Sequence, residues 1–471
     1  MGSDDWVFAS VLEISTAVRE GKISALEVTN AALERIEATD HSIRAFRHVD
    51  VEGARAAALE LDTARRSGVS LGALAGVPIA VKENVPVNGL PREVGSLVRR
   101  GERSDSDALA VGRLRSAHGI IIGMTCMPEY GHIGLGHSPL GPATRNPWSM
   151  SHTPGGSSSG SAAAVASGQA ALALGTDGGG SIRIPSACCG VVGHKPTLGR
   201  VPHAPLRAGF APMSHLGPIG RSVGDVAMML DVIAAQDHRD PASFPSEGVC
   251  YAEISQESRS EGRIGWAPQL GTTTVDDDVL KVCGSAVEAL VANGYTVVDI
   301  DPFLDDWTDA WAILFDVMMA SLVAERLSDI YRLSEPSLIA RVEHGLGVDA
   351  IEIAKAEATR RDVWAAFHRI YEQFDVDVVV TPALLDPPLP VDPQTGVIDE
   401  PEAWSDRWFM HMYPANLTGQ PAASVPVGTT VDGLPVGLQV MGSRFADGKV
   451  IRFASAVERC INWLGTRPDF D

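Results

Sequence analysis

The stretch "GGSSSGSAAAVASGQAALALGTDGGGS", residues 155 to 181, limits the fold more than any other part of the chain. Its "SAAAVASG" portion is rich in helix-forming alanine and has no charged face, so it reads as a buried helix ending near Gly168. "AALALGTD" follows as an apolar strand candidate. A helix and a strand without polar faces need cover on all sides, and a small module cannot supply it. With 471 residues, 45% apolar and 21% charged, the chain has the length for a large core and the composition of a folded globular protein.

Strands and helices alternate along the rest of the chain. "ISALEVTNAALERIEATD" puts Ser24 and Glu27 in capping-box spacing and repeats Val28, Ala32 and Ile36 every four residues, which predicts an amphipathic helix lying on something larger. "GVPIAVKENV" at 76 to 85 and "GIIIGMTCMPE" at 119 to 129 are short β-rich runs. After the polar connection "QDHRDPASFPSEG", a strand, helix, strand unit is predicted from "RIGWA", "DDDVLKVCGSAVEALVANG" and "YTVVDI". Residues 305 to 375 read as mostly helical, and "DVDVVVTPA", "AASVPVG" and "LPVGLQVMG" as late strands. This alternation predicts an α/β layered sheet.

A net charge of -21 repels nucleic-acid backbones and anionic membranes, which argues against both as partners. Six cysteines include no C-x-x-C pair and fit a reducing compartment. No run of about 18 apolar residues occurs. "MGSDDWVFAS" lacks the basic start and apolar run of a signal peptide, so a cytoplasmic location is expected.

Gly156 to Gly160 match the G-x-S-x-G spacing of a hydrolase nucleophile elbow, but that motif needs a strand leading into it, and "TRNPWSMSHTPGG" reads as loop. "GVVGHKPT" lacks the four-residue gap of a phosphate-binding loop. His132 and His137 lie outside any H-E-x-x-H context and read as loop polar groups. With no histidine placed as an obvious partner for a serine, lysine is the alternative base. Desolvation can lower a lysine's pKa until it is neutral and able to take a hydroxyl proton. Lys82 interrupts an apolar run where a charge is least expected; a lysine reaching water from an edge strand is the competing reading. "GTDGGGS" sets three glycines before Ser181, which lets the backbone approach a substrate and turn several N–H groups toward one point, as an oxyanion hole requires.

These residues resemble the amidase signature family. "GGSSSGSAAAVASGQAALALGTDGGGSIRIPSACCGVVGHKPTLGRVP" is similar to that family's signature almost position for position, and the likeness extends to "LAGVPIAVKENVPVNG", "GPATRNPW", "GPIGRSVGDVAMMLDVIA" and "NLTGQPAASVPVGTTVDGLPVGLQVMG". It covers essentially the whole chain. The resemblance implies an α/β amidase signature fold, a large mixed twisted β-sheet covered on both faces by α-helices, as one domain over 1–471. Within it, 70–235 would hold the signature core, 236–375 a variable region with part of the substrate pocket, and 376–471 the closing strands. It also implies a Ser-Ser-Lys triad in which Ser181 is the nucleophile, Ser157 the bridging serine after a cis peptide bond, and Lys82 the general base. The amides of Gly178, Gly179, Gly180 and Ser181 fall on the oxyanion hole, and Ser158, Asp177 and Arg183 on supporting positions. No metal or organic cofactor is implied. Ser159, His194 and Gly178 depart from the family's usual residues, and glycine at 178 predicts a looser oxyanion loop.

Because the family shares one triad across amides, anilides and carbamates, substrate choice is expected in the variable pocket. Trp307, Trp311 and Phe315 recur every four residues with Met318 and Met319 after them, a spacing that suits a core helix or an apolar wall for an aryl or alkyl group. Tyr130 and Gly131 are candidates for the opposite rim. The expected partners are a small-molecule amide or carbamate and water, with the chain a monomer or homodimer. The resemblance also admits a glutaminase-type component of an amidotransferase, which supplies ammonia to a partner protein; "PSLIARVEHGLGVDAIEIAKAEATR" at 336 to 360 stands where such components carry a basic segment and favours a free-standing hydrolase.

Overall fold

The computed structural model describes residues 6–204, 213–246, 248–258, 261–304, 307–392, 395–398 and 406–469. Its first strands are β1 (Phe46–Val49), β2 (Pro78–Lys82), β3 (Ile120–Thr125), β4 (Leu172–Asp177), β5 (Val192–Lys195) and β6 (His215–Gly220). β7 (Arg263–Trp266), β8 (Thr296–Asp299), β9 (Val378–Pro382), β10 (Ala422–Thr429) and β11 (Pro435–Gly442) complete an 11-stranded sheet in the order β1-β3-β2-β4-β6-β5-β10-β11-β9-β7-β8. The sheet is mixed: β3, β2 and β4 run parallel, as do β9, β7 and β8, while the strands between them pair antiparallel.

Both faces of the sheet are covered. Along β9, Val378 and Val380 join one apolar core and Val379 the other, as the alternation of a strand requires. The first core contains the helix Ser159–Ala166, all of whose residues are buried, and the helices Ala25–Ile43 and Asp277–Ala292. The second is built on the helices Thr308–Val323, Pro336–Gly347 and Ala350–Gln373. Ser24 and Glu27 form the expected capping box. No helix among the described residues is long and apolar enough to cross a membrane. The positions 1–5 and 305–306, which begin two of the segments read above, lie outside the described residues.

Three strands carry no sequence signal. β1, β5 and β6 read "FRHV", "VGHK" and "HLGPIG", with charged, glycine or proline residues that match neither an alternating nor an apolar pattern. Their pairing is imposed by neighbours, since β6 is held between β4 and β5.

Candidate active site

The parallel strands β3, β2 and β4 deliver their carboxyl ends to one place, which is where ligands gather in open α/β sheets. Lys82 is the last residue of β2, and Thr176 and Asp177 end β4. The loop after β3 supplies Met127, Tyr130 and Gly131, and the loop after β4 supplies Gly178 to Ser181.

Lys82 is completely buried, so the reading of a lysine reaching water does not hold. Its Nζ lies 2.8 Å from Ser157 Oγ and 2.8 Å from Thr176 Oγ1, with the Thr176 carbonyl at 3.4 Å. Burial drives the ammonium down to about 7, opposed by the charge of Asp177. A neutral amine has two N–H groups and a lone pair. With its two N–H groups given to the Thr176 carbonyl and Oγ1, the lone pair is left to face the Ser157 hydroxyl. Asn84 Nδ2 donates to Thr176 Oγ1 at 3.0 Å and fixes that side chain in turn. Ser157 is 2% exposed, and the Gly156–Ser157 peptide is cis.

The turn carrying Ser181 is organised around Asp177, whose carboxylate accepts from Gly180 N, Ile182 N, Arg183 Nε, Arg183 Nη2 and Asn416 Nδ2 at 2.7 to 3.2 Å. Burial alone would raise this carboxyl, but the charge and hydrogen bonds of Arg183 hold it below the usual carboxylate range. Arg183 is itself buried and also donates to the Met412 carbonyl, Gln439 and Asn416. Ser158 N donates to the Ser181 carbonyl at 3.0 Å, which ties the two serine loops together. At Gly180 the structure departs from expectation: its N–H is occupied by Asp177 at 2.7 Å, leaving Gly178, Gly179 and Ser181 as the amides without such a bond among the described residues. The Gly178 carbonyl accepts from Trp311 Nε1 at 3.1 Å, which braces the loop at the position where glycine stands. Gly179 must be glycine, since a Cβ there would collide with the Trp311 indole.

Ser157, Ser181, Thr176 and Gly178 open into a cavity of about 600 Å³, within the range of small-molecule sites. Tyr130, Gly131, Leu314, Phe315, Met318, Met319 and Leu322 line it together with several arginines. The aromatic stripe therefore divides: Phe315 and the methionines face the cavity, whereas Trp307 and Trp311 are core. Trp311 is 3% exposed, stacked on Tyr413 and Phe315 with centroids 3.8 and 4.5 Å apart, and stands behind the Ser181 turn. Tyr130 adopts a left-handed backbone, φ 51, a cost for a residue with a Cβ that is concentrated at functional sites. Gly131, with φ 71, follows it, and a Cβ there would press on Ser157 Oγ. His132 is held away from any ligand role by Ser337 Oγ at 2.8 Å and the Glu129 carbonyl at 2.7 Å.

Sequence reading missed Thr176 and Asn84 around Lys82, and Asn416 and Gln439 around Arg183. Thr176, directly before Asp177, and Asn84, two residues after Lys82, had a signal in their adjacency; Asn416 and Gln439 lie 233 and 256 residues from Arg183 and had none.

The Amidase family model matches residues 27–451. An acylamidase of Rhodococcus erythropolis is 33% identical over 98% of this chain and 97% of its own. One component of the glutamyl-tRNA(Gln) amidotransferase of Chloroflexus aggregans is also 33% identical, over 98% of each chain. Among solved structures, a bacterial aryl acylamidase of the amidase signature enzymes superposes with a TM-score of 0.86 at 28% identity, over 97% of each chain. A mixed sheet of the same architecture, a match along nearly the full length and identity above 30% to curated relatives converge on one conclusion: the chain belongs to the amidase signature family.

Proposed function

We propose that the protein is a serine amidohydrolase that cleaves the C–N bond of an amide, anilide or carbamate through an acyl-enzyme on Ser181, with Ser157 and a neutral Lys82 as proton relay. The observation that carries this reading is the 2.8 Å contact between a wholly buried Lys82 and Ser157 at the floor of a cavity that Ser181 also lines. Ser181 loses its proton to Ser157 as Ser157 passes its own to Lys82, and the Ser181 oxygen attacks the carbonyl carbon. The amides of Gly178, Gly179 and Ser181 receive the oxyanion. Collapse breaks the C–N bond, Ser157 protonates the departing amine and recovers a proton from Lys82, and water hydrolyses the acyl-enzyme by the same relay in reverse. Asp177, Arg183 and Ser158 hold the two loops in register. The reaction as written needs no metal or organic cofactor. The apolar wall from Leu314 to Leu322 favours a bulky aryl or alkyl substrate.

The relay sets a pH dependence. Lys82 must be neutral to act, so kcat/KM for an uncharged amide rises with pH through about 7 and levels above it. A rate flat between pH 5.5 and 9 removes Lys82 as the base.

Amine release from a primary aliphatic amide, glutamine, an anilide and an aryl carbamate, with Ser181→Ala as blank, tests the reaction itself. Turnover of anilide or carbamate by the wild type, and none by Ser181→Ala, is expected. A covalent adduct retained by Ser181→Ala overturns the nucleophile. A second reading, a glutaminase serving a partner protein, is favoured by the likeness to the amidotransferase component. Turnover of glutamine alone, or of nothing without an added partner, would select it.

A further inference from the structure

Four arginines, Arg92, Arg99, Arg326 and Arg360, line the cavity with two carboxylates, Glu325 and Glu357, on a chain whose net charge is -21. This local excess of positive charge runs against the acidity of the whole. Glu102 lies 2.6 Å from Arg99 and 2.6 Å from Arg326, and Glu357 lies 3.1 Å from Arg360. Arg92 stands apart. Its Nε donates to the Asn84 carbonyl at 3.2 Å, and no carboxylate pairs with its guanidinium among the described residues.

Arg92 is also firmly placed. Glu83, next to Lys82, accepts from the backbone N–H groups of Glu93 and Gly95, each at 3.1 Å, and so pins the loop on the far side of Arg92. Val94, at φ 48, is a second left-handed residue, and its carbonyl accepts from Tyr130 N at 2.8 Å. A β-branched residue in that region marks a backbone held against its preference by its surroundings. A guanidinium keeps its charge; partial burial and the neighbouring Arg99 weigh against that charge, and Glu102 and Asp105, neither of which pairs with the guanidinium among the described residues, offset them only in part. The contact to Asn84 sets Arg92 close to Lys82, because Asn84 and Lys82 both bond Thr176.

We propose that the preferred substrate is an amide or carbamate with a largely apolar body and a carboxylate end, the carboxylate being held by Arg92 while the body lies along Leu314, Phe315 and Met318. The inference rests on the hydrolase reading for its reaction but concerns an anion subsite that binding alone can reveal.

A matched pair tests it: hexananilide and adipic acid monoanilide, which differ by a terminal carboxylate. At pH 8 and low salt the wild type should favour the acid by about tenfold in kcat/KM, expressed in KM, and the preference should collapse toward one in Arg92→Met while Arg92→Lys keeps part of it. A general packing defect would slow both substrates and leave the ratio unchanged, which would overturn the assignment. Calorimetric binding of both compounds to Ser181→Ala separates the two readings. If the wild type hydrolyses neither compound yet Ser181→Ala binds the acid about tenfold tighter, the anion subsite stands and the hydrolase reading falls. If the neutral anilide binds as well as the acid, the subsite falls whatever the turnover.

Discussion

With Lys82 replaced by methionine, hydrolysis falls by about 10⁴-fold or more while the melting temperature at pH 6 does not drop. The rate loss follows from the relay: without a base the Ser157 hydroxyl has nowhere to send its proton, and removing one member of a cooperating set costs nearly as much as removing all. The stability result follows from burial. Lys82 is wholly buried and driven down to about 7, so below that pH the folded chain keeps an ammonium out of water. Between about 7 and the ordinary lysine value the unfolded chain binds the proton and the folded chain does not, so stability rises with pH across that window. Methionine removes the cost altogether. Its advantage over the wild type is therefore largest near pH 6 and shrinks toward pH 10, offset at every pH by the hydrogen bonds lost to Ser157 and Thr176, at about 1 kcal/mol each. Thermal denaturation of both proteins at pH 6 and pH 9.5 measures it, and a variant that melts several degrees lower at pH 6 contradicts the account.

Arg183→Met is expected to be among the most destabilising single changes in the chain, at about 3–5 kcal/mol. Its two contacts to Asp177, each 3.0 Å, lie where neither side chain reaches water, so methionine strands a carboxylate and leaves the Asn416 and Gln439 oxygens without a donor. Adding Asp177→Asn to it should recover part of the loss, since the buried charge is then gone. A double variant less stable than Arg183→Met would show that the charge is not the cause. Activity supplies a second readout. Asp177 raises the Lys82 pKa, so in the double variant, which lacks that charge, the acid limb of the pH profile moves below its wild-type position. A purely structural defect lowers the plateau and leaves the limb in place.

The residues at stake in these two experiments were legible to different degrees. Lys82 stands out in one dimension because it breaks an apolar run, and the helix Ser159–Ala166 because it lacks a polar face. Ser157 and Ser181 are marked by glycine density on either side of that helix and strand β4. All of these are local signals, and a buried segment or a tight glycine turn imposes them on adjacent residues. Arg183 was visible only through the family resemblance, since an arginine two residues after a serine has no local meaning.

Apart from Ser157, which only the family resemblance singled out among three adjacent serines, what the sequence by itself determined was the α/β alternation, the buried helix and strand at the centre of the sheet, the candidate Lys82 and the glycine-flanked candidate Ser181. Each follows from burial or backbone freedom acting over a few residues. The tertiary structure alone decided that β6 lies between β4 and β5 in spite of Pro218, and that Thr176 supports Lys82. It also decided that Asp177 takes the Gly180 amide and that Trp311, 133 residues away, holds the Gly178 carbonyl. It turned Phe315 to the cavity and Trp311 to the core, although both sit in one stripe. The reason is common to all of these: hydrogen-bond partners and cavity walls are chosen by sheet order and helix docking, which join residues whose separation along the chain carries no periodic signal.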